Sequence, residues 1–130
     1  MTGNKFLLDT NIISGWLKGE SELADKIDKA EVVYIPIIVI GELYYGAAFS
    51  TQVARNTANV KALTDRYPLL SPDEQTAIEY GNIKSTLRKK GRPIPENDIW
   101  IAATAMQYKL PLVTRDQHFA EIEGITLENW

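Results

Sequence analysis

The sequence predicts one α/β domain built on a mostly parallel sheet. Three observations point there. Short apolar runs that read as strands alternate with helical segments along the chain. The length, 130 residues, is that of one ordinary domain with a core of its own. No repeat, low-complexity tract or linker divides it, so residues 1–130 are expected to fold as a single unit.

The elements follow in order. "KFLLD" is a short buried strand that ends in an acid, and "TNIISGWLKG" is a short helix stopped by Gly19, with Ile12, Ile13, Trp16 and Leu17 on one face. "SELADKIDKA" is a more polar helix that turns Leu23, Ile27 and Ala30 inward, and "EVVYI" is a β-branched strand. Pro36 suits the first position of the next helix, where its missing N–H is not needed. A helical stretch from about Gln52 to Arg66 leads to "YPLLS", a short strand or extended link. In "SPDE", Ser71 as the cap, Pro72 at the first helical position and Glu74 completing a capping box predict a helix start. That helix stops at "LRKKGRP", with basic residues in its last turn, Gly91 after it and Pro93 beyond. "IPENDIWIAATAMQYK" is a further helix, "LPLVT" a buried strand, "QHFAEI" a short helix and "ITLENW" a last strand.

Composition removes several classes of function. With no cysteine, disulfides, zinc–thiolate sites and thiol chemistry are excluded. The N-terminus "MTGNKFLLDT" has too short an apolar stretch for a signal peptide, and no segment approaches the ~20 apolar residues of a membrane span. A soluble, cytoplasmic protein is the expectation. The net charge of −3 argues against a nucleic-acid partner only if it is evenly spread. If four acids sit in one metal site, the remainder of the molecule carries +1.

Four carboxylates stand where ligands are expected. Parallel sheets bind ligands beyond the carboxyl ends of their strands. Asp9 ends the first strand in "FLLDTN", and Asp116 lies just past a later one in "LVTRDQ". Asp98 opens the helix "NDIWIAATA" and shares a face with Ile101, Ala102 and Ala105, the inward stripe. Glu42 interrupts the apolar run "IPIIVIGELYYGAAF", well past the first turn, on a face with Ile38, Val39, Tyr45 and Gly46. Each has a local alternative: Asp9 and Asp116 as helix caps, Asp98 as a partner of the helix dipole, Glu42 as half of a buried ion pair. Mid-helix Gly46 costs ~1 kcal/mol against alanine, so an approach to the backbone is expected there.

Together the four acids imply a cation, because clustered carboxylates repel one another and some stay protonated unless a divalent ion holds them. Oxygen ligands suit Mg²⁺ or Mn²⁺. A hard cation on carboxylates can activate water for phosphodiester hydrolysis without a side-chain nucleophile. Asn11 and Thr114, two residues from Asp9 and Asp116, can orient a carboxylate or serve ordinary turn hydrogen bonds. His118, the only histidine, sits beside Phe119 and reads as helix packing. Lys84, Arg88, Lys89, Lys90 and Arg92 form the one basic cluster, open either to RNA phosphates or to the helix dipole. Tyr44, Tyr45 and Phe49 read as partly core, and any left exposed would mark a partner surface.

"LLDTN", "GELYYG", "NDIWIAATA" and "LVTRDQHF", in this order and spacing, resemble the PIN-domain ribonucleases, most closely the VapC toxins of bacterial type II toxin–antitoxin pairs. The resemblance covers essentially the whole chain, down to "LENW". It implies a compact α/β/α sandwich, often a homodimer. It also implies that Asp9, Glu42, Asp98 and Asp116 match an acidic quartet holding Mg²⁺ or Mn²⁺, with Thr114 at a Ser/Thr position beside the fourth acid. The implied activity is metal-dependent endoribonuclease action on structured RNA such as tRNA or rRNA. The implied partner is a VapB-like antitoxin whose C-terminal segment blocks the acidic site. Two other readings remain. One is a Mg²⁺-dependent phosphatase with Asp9 as nucleophile, although Asn11 stands where a second aspartate is expected. The other is a non-catalytic module whose acidic crevice binds a basic peptide.

Overall fold

A computed structural model describes residues 4–130, so the first three residues of the expected domain, and of the N-terminal segment scanned for a signal peptide, lie outside it. Strand β1 (Lys5–Leu8) leads into helices α1 (Thr10–Leu17) and α2 (Ser21–Lys29), then strand β2 (Val32–Pro36). Helices α3 (Ile37–Ala48) and α4 (Val53–Arg66) precede the two-residue strand β3 (Leu69–Leu70). Helices α5 (Glu74–Lys90) and α6 (Glu96–Tyr108) precede strand β4 (Leu112–Val113). A short 3₁₀ turn (Gln117–Glu121) and strand β5 (Leu127–Glu128) complete the described chain.

The five strands form one sheet in the order β3-β2-β1-β4-β5, and every pairing is parallel. The chain moves outward from β1 through β2 to β3, then returns to the other side of β1 as β4 and β5. Because parallel crossovers are right-handed, this reversal puts the two sets of connecting helices on opposite faces and opens a crevice at the carboxyl ends of β1 and β4. Leu7 lies between Tyr34 on β2 and Leu112 on β4. Leu7, Leu8, Leu112 and Val113 have no exposed surface. A strand covered on both faces reads as a continuous apolar run, as "FLL" and "LPLV" do. The residues that follow these two strands, Asp9 and Thr114, open the crevice.

Several expectations shift. The "SPDE" helix is capped by Asp73, not Ser71: Asp73 has an extended backbone, its carboxylate accepts from the Thr76 amide, and Thr76 Oγ1 accepts from the Asp73 amide. Thr76 thus takes the part expected of Glu74, because the box is displaced by two residues. Gly91 ends this helix as expected, at a φ of +67° that favours glycine. Pro36 is the cap of α3, not its first helical residue, because β2 runs through it. The "QHFAEI" segment is 3₁₀, not α. Leu17 is 39% exposed, while Trp16 packs edge-on against Tyr67. Nothing in the described chain comes within 4 Å of a Cβ built on Gly46, so no neighbour in this chain uses the approach expected there.

Candidate metal centre

Asp9, Glu42, Asp98 and Asp116 all line one cavity of about 540 Å³, together with Thr10, Asn11, Pro95, Glu96 and Asn97. Asp9 follows β1, Asp116 follows β4, Asp98 lies in the first turn of α6, and Glu42 projects from the middle of α3. Residues more than a hundred positions apart therefore meet at the sheet's switch point.

Asp9 is the most enclosed of the four, at 2% exposed. It is both a cap and a member of the cleft. Its Oδ1 accepts from the Thr10 amide at 2.8 Å, starting α1. Its Oδ2 accepts from Thr114 Oγ1 at 2.7 Å and from Asn11 Nδ2 at 3.3 Å. Thr114 Oγ1 also accepts the Asp116 amide at 3.0 Å, and Asn11 Oδ1 accepts the Arg115 amide at 3.1 Å. The two polar residues that the sequence placed beside the acids thus stitch the end of β1 to the loop after β4. Burial raises the Asp9 pKa to about 6; the hydrogen bonds from Thr114 and Thr10 oppose the rise, and the charges of Asp98 and Asp116 add to it.

Asp98 is half-buried, and its pKa is also raised, first by burial and then by Glu42 and Asp116, against a lowering effect from His118. His118 Nε2 lies 2.7 Å from Asp98 Oδ2. The expectation of simple helix packing for His118 is therefore incomplete: the ring does tilt against Phe119, with centroids 4.9 Å apart, but its nitrogen faces the acids. Asp98, Asp116 and His118 each offer a donor atom, all within 4.8 Å of one another. Asp116 is exposed and makes no capping bond to the turn that follows it, which removes its local alternative.

Glu42 departs from the buried position its context suggested. It is half-exposed, and its Oε1 accepts from Thr10 Oγ1 at 2.6 Å. Thr10, which sequence reasoning passed over, is thus the link between Glu42 and the start of α1. The apolar helix around Glu42 is open on one side: Tyr45 is 70% exposed and Phe49 82% exposed, and their rings stack 6.1 Å apart. Tyr44 is half-buried.

No lysine or arginine pairs with any of the four acids among the described residues. Basic side chains are engaged elsewhere. Arg115 forms a two-pronged pair with Glu20, at 2.8 and 3.2 Å, which anchors the loop carrying Asp116 to the turn before α2. Of the basic cluster, Lys84 pairs with Glu96 on the rim of the cavity at 3.1 Å. Lys90 donates to the Glu121 carbonyl at 2.7 Å, and Arg92 lies 3.9 Å from the Glu121 carboxylate. Arg88 and Lys89, in the last turn of α5, are both exposed.

The PIN domain family matches residues 6–125. Ribonuclease VapC2 of Haemophilus influenzae is 36% identical over 129 residues, covering 97% of this chain and 98% of the relative. The chain belongs to the PIN-domain family, among the VapC ribonucleases. The tRNA(fMet)-specific endonuclease VapC of Salmonella typhimurium is 35% identical, covering 97% of this chain and 98% of its own. The crystal structure of DNA-bound VapBC from Salmonella typhimurium superposes with a TM-score of 0.90 at 34% identity, over 97% of this chain and 98% of that one. This membership sets aside the aspartyl-phosphatase alternative. Asn11, at the position where that chemistry needs an acid, serves here as a hydrogen-bond bridge.

Proposed function

We propose that this VapC protein is a Mg²⁺- or Mn²⁺-dependent endoribonuclease and the toxin of a toxin–antitoxin pair, with Asp9, Glu42, Asp98 and Asp116 as the groups that hold the ion. The observation that carries the reading is the convergence of four acids on one cavity without a lysine or arginine partner among the described residues. The donor set fits a hard dication: it is rich in carboxylate oxygen and free of sulfur. The raised pKa values of Asp9 and Asp98 are what burial beside unneutralised carboxylates produces. When bound, such an ion supplies positive charge at the scissile phosphate and acidifies water for attack on it. The protein's own groups set the frame: Thr114, Asn11 and the Thr10 amide fix Asp9, the Thr10 hydroxyl fixes Glu42, and exposed Asp116 keeps the cavity open to a polymeric substrate.

RNA is the proposed substrate, and tRNA is the class that the name of the Salmonella relative supports. Lys84, Arg88, Lys89, Lys90 and Arg92 are the proposed phosphate contacts, with Lys84 tied to the cavity rim through Glu96. A VapB-like antitoxin is the proposed partner. The exposed Tyr45–Phe49 pair, on the helix that carries Glu42, is a surface of the kind an antitoxin segment would cover while blocking the acids. Self-association as a homodimer and a cytoplasmic location complete the reading. The test is cleavage of purified tRNA with Mg²⁺ or Mn²⁺, repeated with chelator and with Asp98→Ala. Cleavage should require the ion and vanish in the variant, which should also relieve growth arrest. A fully active Asp98→Ala protein would refute the assignment.

A further inference from the structure

We propose that His118 is a positioning residue of this centre: its imidazole holds the Asp98 carboxylate turned into the cavity and away from the amides of its own helix. The inference rests on the metal-centre reading above and deepens it.

Asp98 has two places to go. It is the third residue of α6, whose cap residue Pro95 offers no side-chain bond; the Asp98 amide donates to the Pro95 carbonyl at 3.1 Å, which leaves the Glu96 and Asn97 amides able to donate to a carboxylate. An aspartate in a first turn gains from folding back on such amides. Here it does not: the one hydrogen bond to its side chain among the described residues is from His118, whose Nε2 is 2.7 Å from Oδ2. An ionised carboxylate only accepts, so Nε2 carries the hydrogen. The bond engages Oδ2 and leaves Oδ1 without a hydrogen-bond partner among the described residues, and one carboxylate oxygen each of Asp98 and Asp116 and a His118 nitrogen lie within 4.8 Å of one another.

The imidazole is itself well held. It belongs to the short 3₁₀ turn Gln117–Glu121, and it leans on Phe119, which has no exposed surface. The turn hangs from β4 by way of Thr114 and Asp116, so the ring's position is set by the same strand that places the fourth acid. His118 therefore joins α6 to the loop after β4, as Thr114 and Asn11 join that loop to β1. The hydrogen-bonding partners of ligating carboxylates typically contribute about 10–100-fold in metal affinity.

The test is Mn²⁺ titration of the full chain by calorimetry, with electron paramagnetic resonance on the loaded protein. His118→Ala should weaken Mn²⁺ binding by about 10–100-fold. His118→Gln, whose amide nitrogen reaches about as far as Nε2, should recover most of it, and both variants should keep the wild-type circular dichroism spectrum. Equal losses in the alanine and glutamine variants, or none in either, would overturn the proposal. So would a nitrogen coupling to Mn²⁺ that disappears in His118→Ala, because His118 would then be a ligand and not a positioning group. Wild-type protein that takes up no Mn²⁺ would instead sink the metal centre itself. Loss of binding in Asp98→Ala with full binding in His118→Ala would sink only the role of His118.

Discussion

Asp9 carries three tasks with two oxygens: it caps α1, accepts from Thr114 and Asn11, and faces two other acids. Burial and repulsion outweigh the hydrogen bonds, so its folded-state pKa of about 6 lies above the ordinary 3.8. Between those two values the folded chain binds more protons than the unfolded chain. This residue's contribution to stability therefore falls as pH rises from about 4 to about 6, then stays flat. At about 1.4 kcal/mol per pKa unit, the full loss is roughly 3 kcal/mol. In metal-free protein, Asp9→Asn should remove that slope. Urea denaturation from pH 4 to pH 7 should show the variant gaining on wild type up to pH 6 and holding its lead above. Parallel curves for the two proteins would mean that Asp9 is not the strained acid. The acids were legible in the sequence because a carboxylate at a strand end or inside an apolar run is conspicuous. His118 was not, because only the folded chain brings position 118 against position 98. Its sequence neighbour, Phe119, accounts equally well for a packing role.

At the scale of elements, the junction of α1 and α2 depends on Gly15. A Cβ there would sit 2.9 Å from Leu23 Cδ1 and would press on the Glu20 carboxylate, which holds Arg115. Inside a helix, alanine normally gains ~1 kcal/mol over glycine. Overpacking against buried Leu23 costs about 1–3 kcal/mol, so the clash reverses the usual sign. Gly15→Ala should therefore lower stability by up to about 2 kcal/mol in chemical denaturation. A more stable variant would show that Leu23 and Glu20 make room freely. Element boundaries were less legible than element identities. Ser71 and Asp73 are both good caps by composition, and the choice between them rests on which backbone is extended and whether a threonine hydroxyl stands three residues on. Helix α3 was misread in depth for a related reason. An apolar run does not say which of its faces this chain covers, and Tyr45 and Phe49 lie on the face it leaves open.

The whole molecule divides its charge unevenly. Its net charge is −3, yet five of its acids, Glu96 on the rim included, line one cavity, so the remainder carries +2. A bound dication would halve the negative charge of the four acids and offer phosphate oxygens a positive centre within the cleft. If the last turn of α5 meets the RNA backbone, the double variant Arg88→Ala and Lys89→Ala should bind RNA more weakly at every sequence. The slope of log affinity against log salt should then fall by about 0.7–0.9 for each phosphate no longer neutralised. An unchanged slope would leave those residues to the helix dipole alone. The parallel sheet was legible from the alternation of strands and helices. Its order was not, because nothing local states that β4 returns to the side of β1 opposite β2.

That return has a consequence for how the protein is made. The central strand leaves the ribosome before the other four, while its partner β4 and the loop bearing Asp116 emerge roughly a hundred residues later. Until then β1 has an unsatisfied edge, Asp9 lacks its threonine, and the cavity has no fourth wall. On the proposed reading of the four acids, a chain whose synthesis is interrupted before β4 would lack Asp116 and hold an incomplete site.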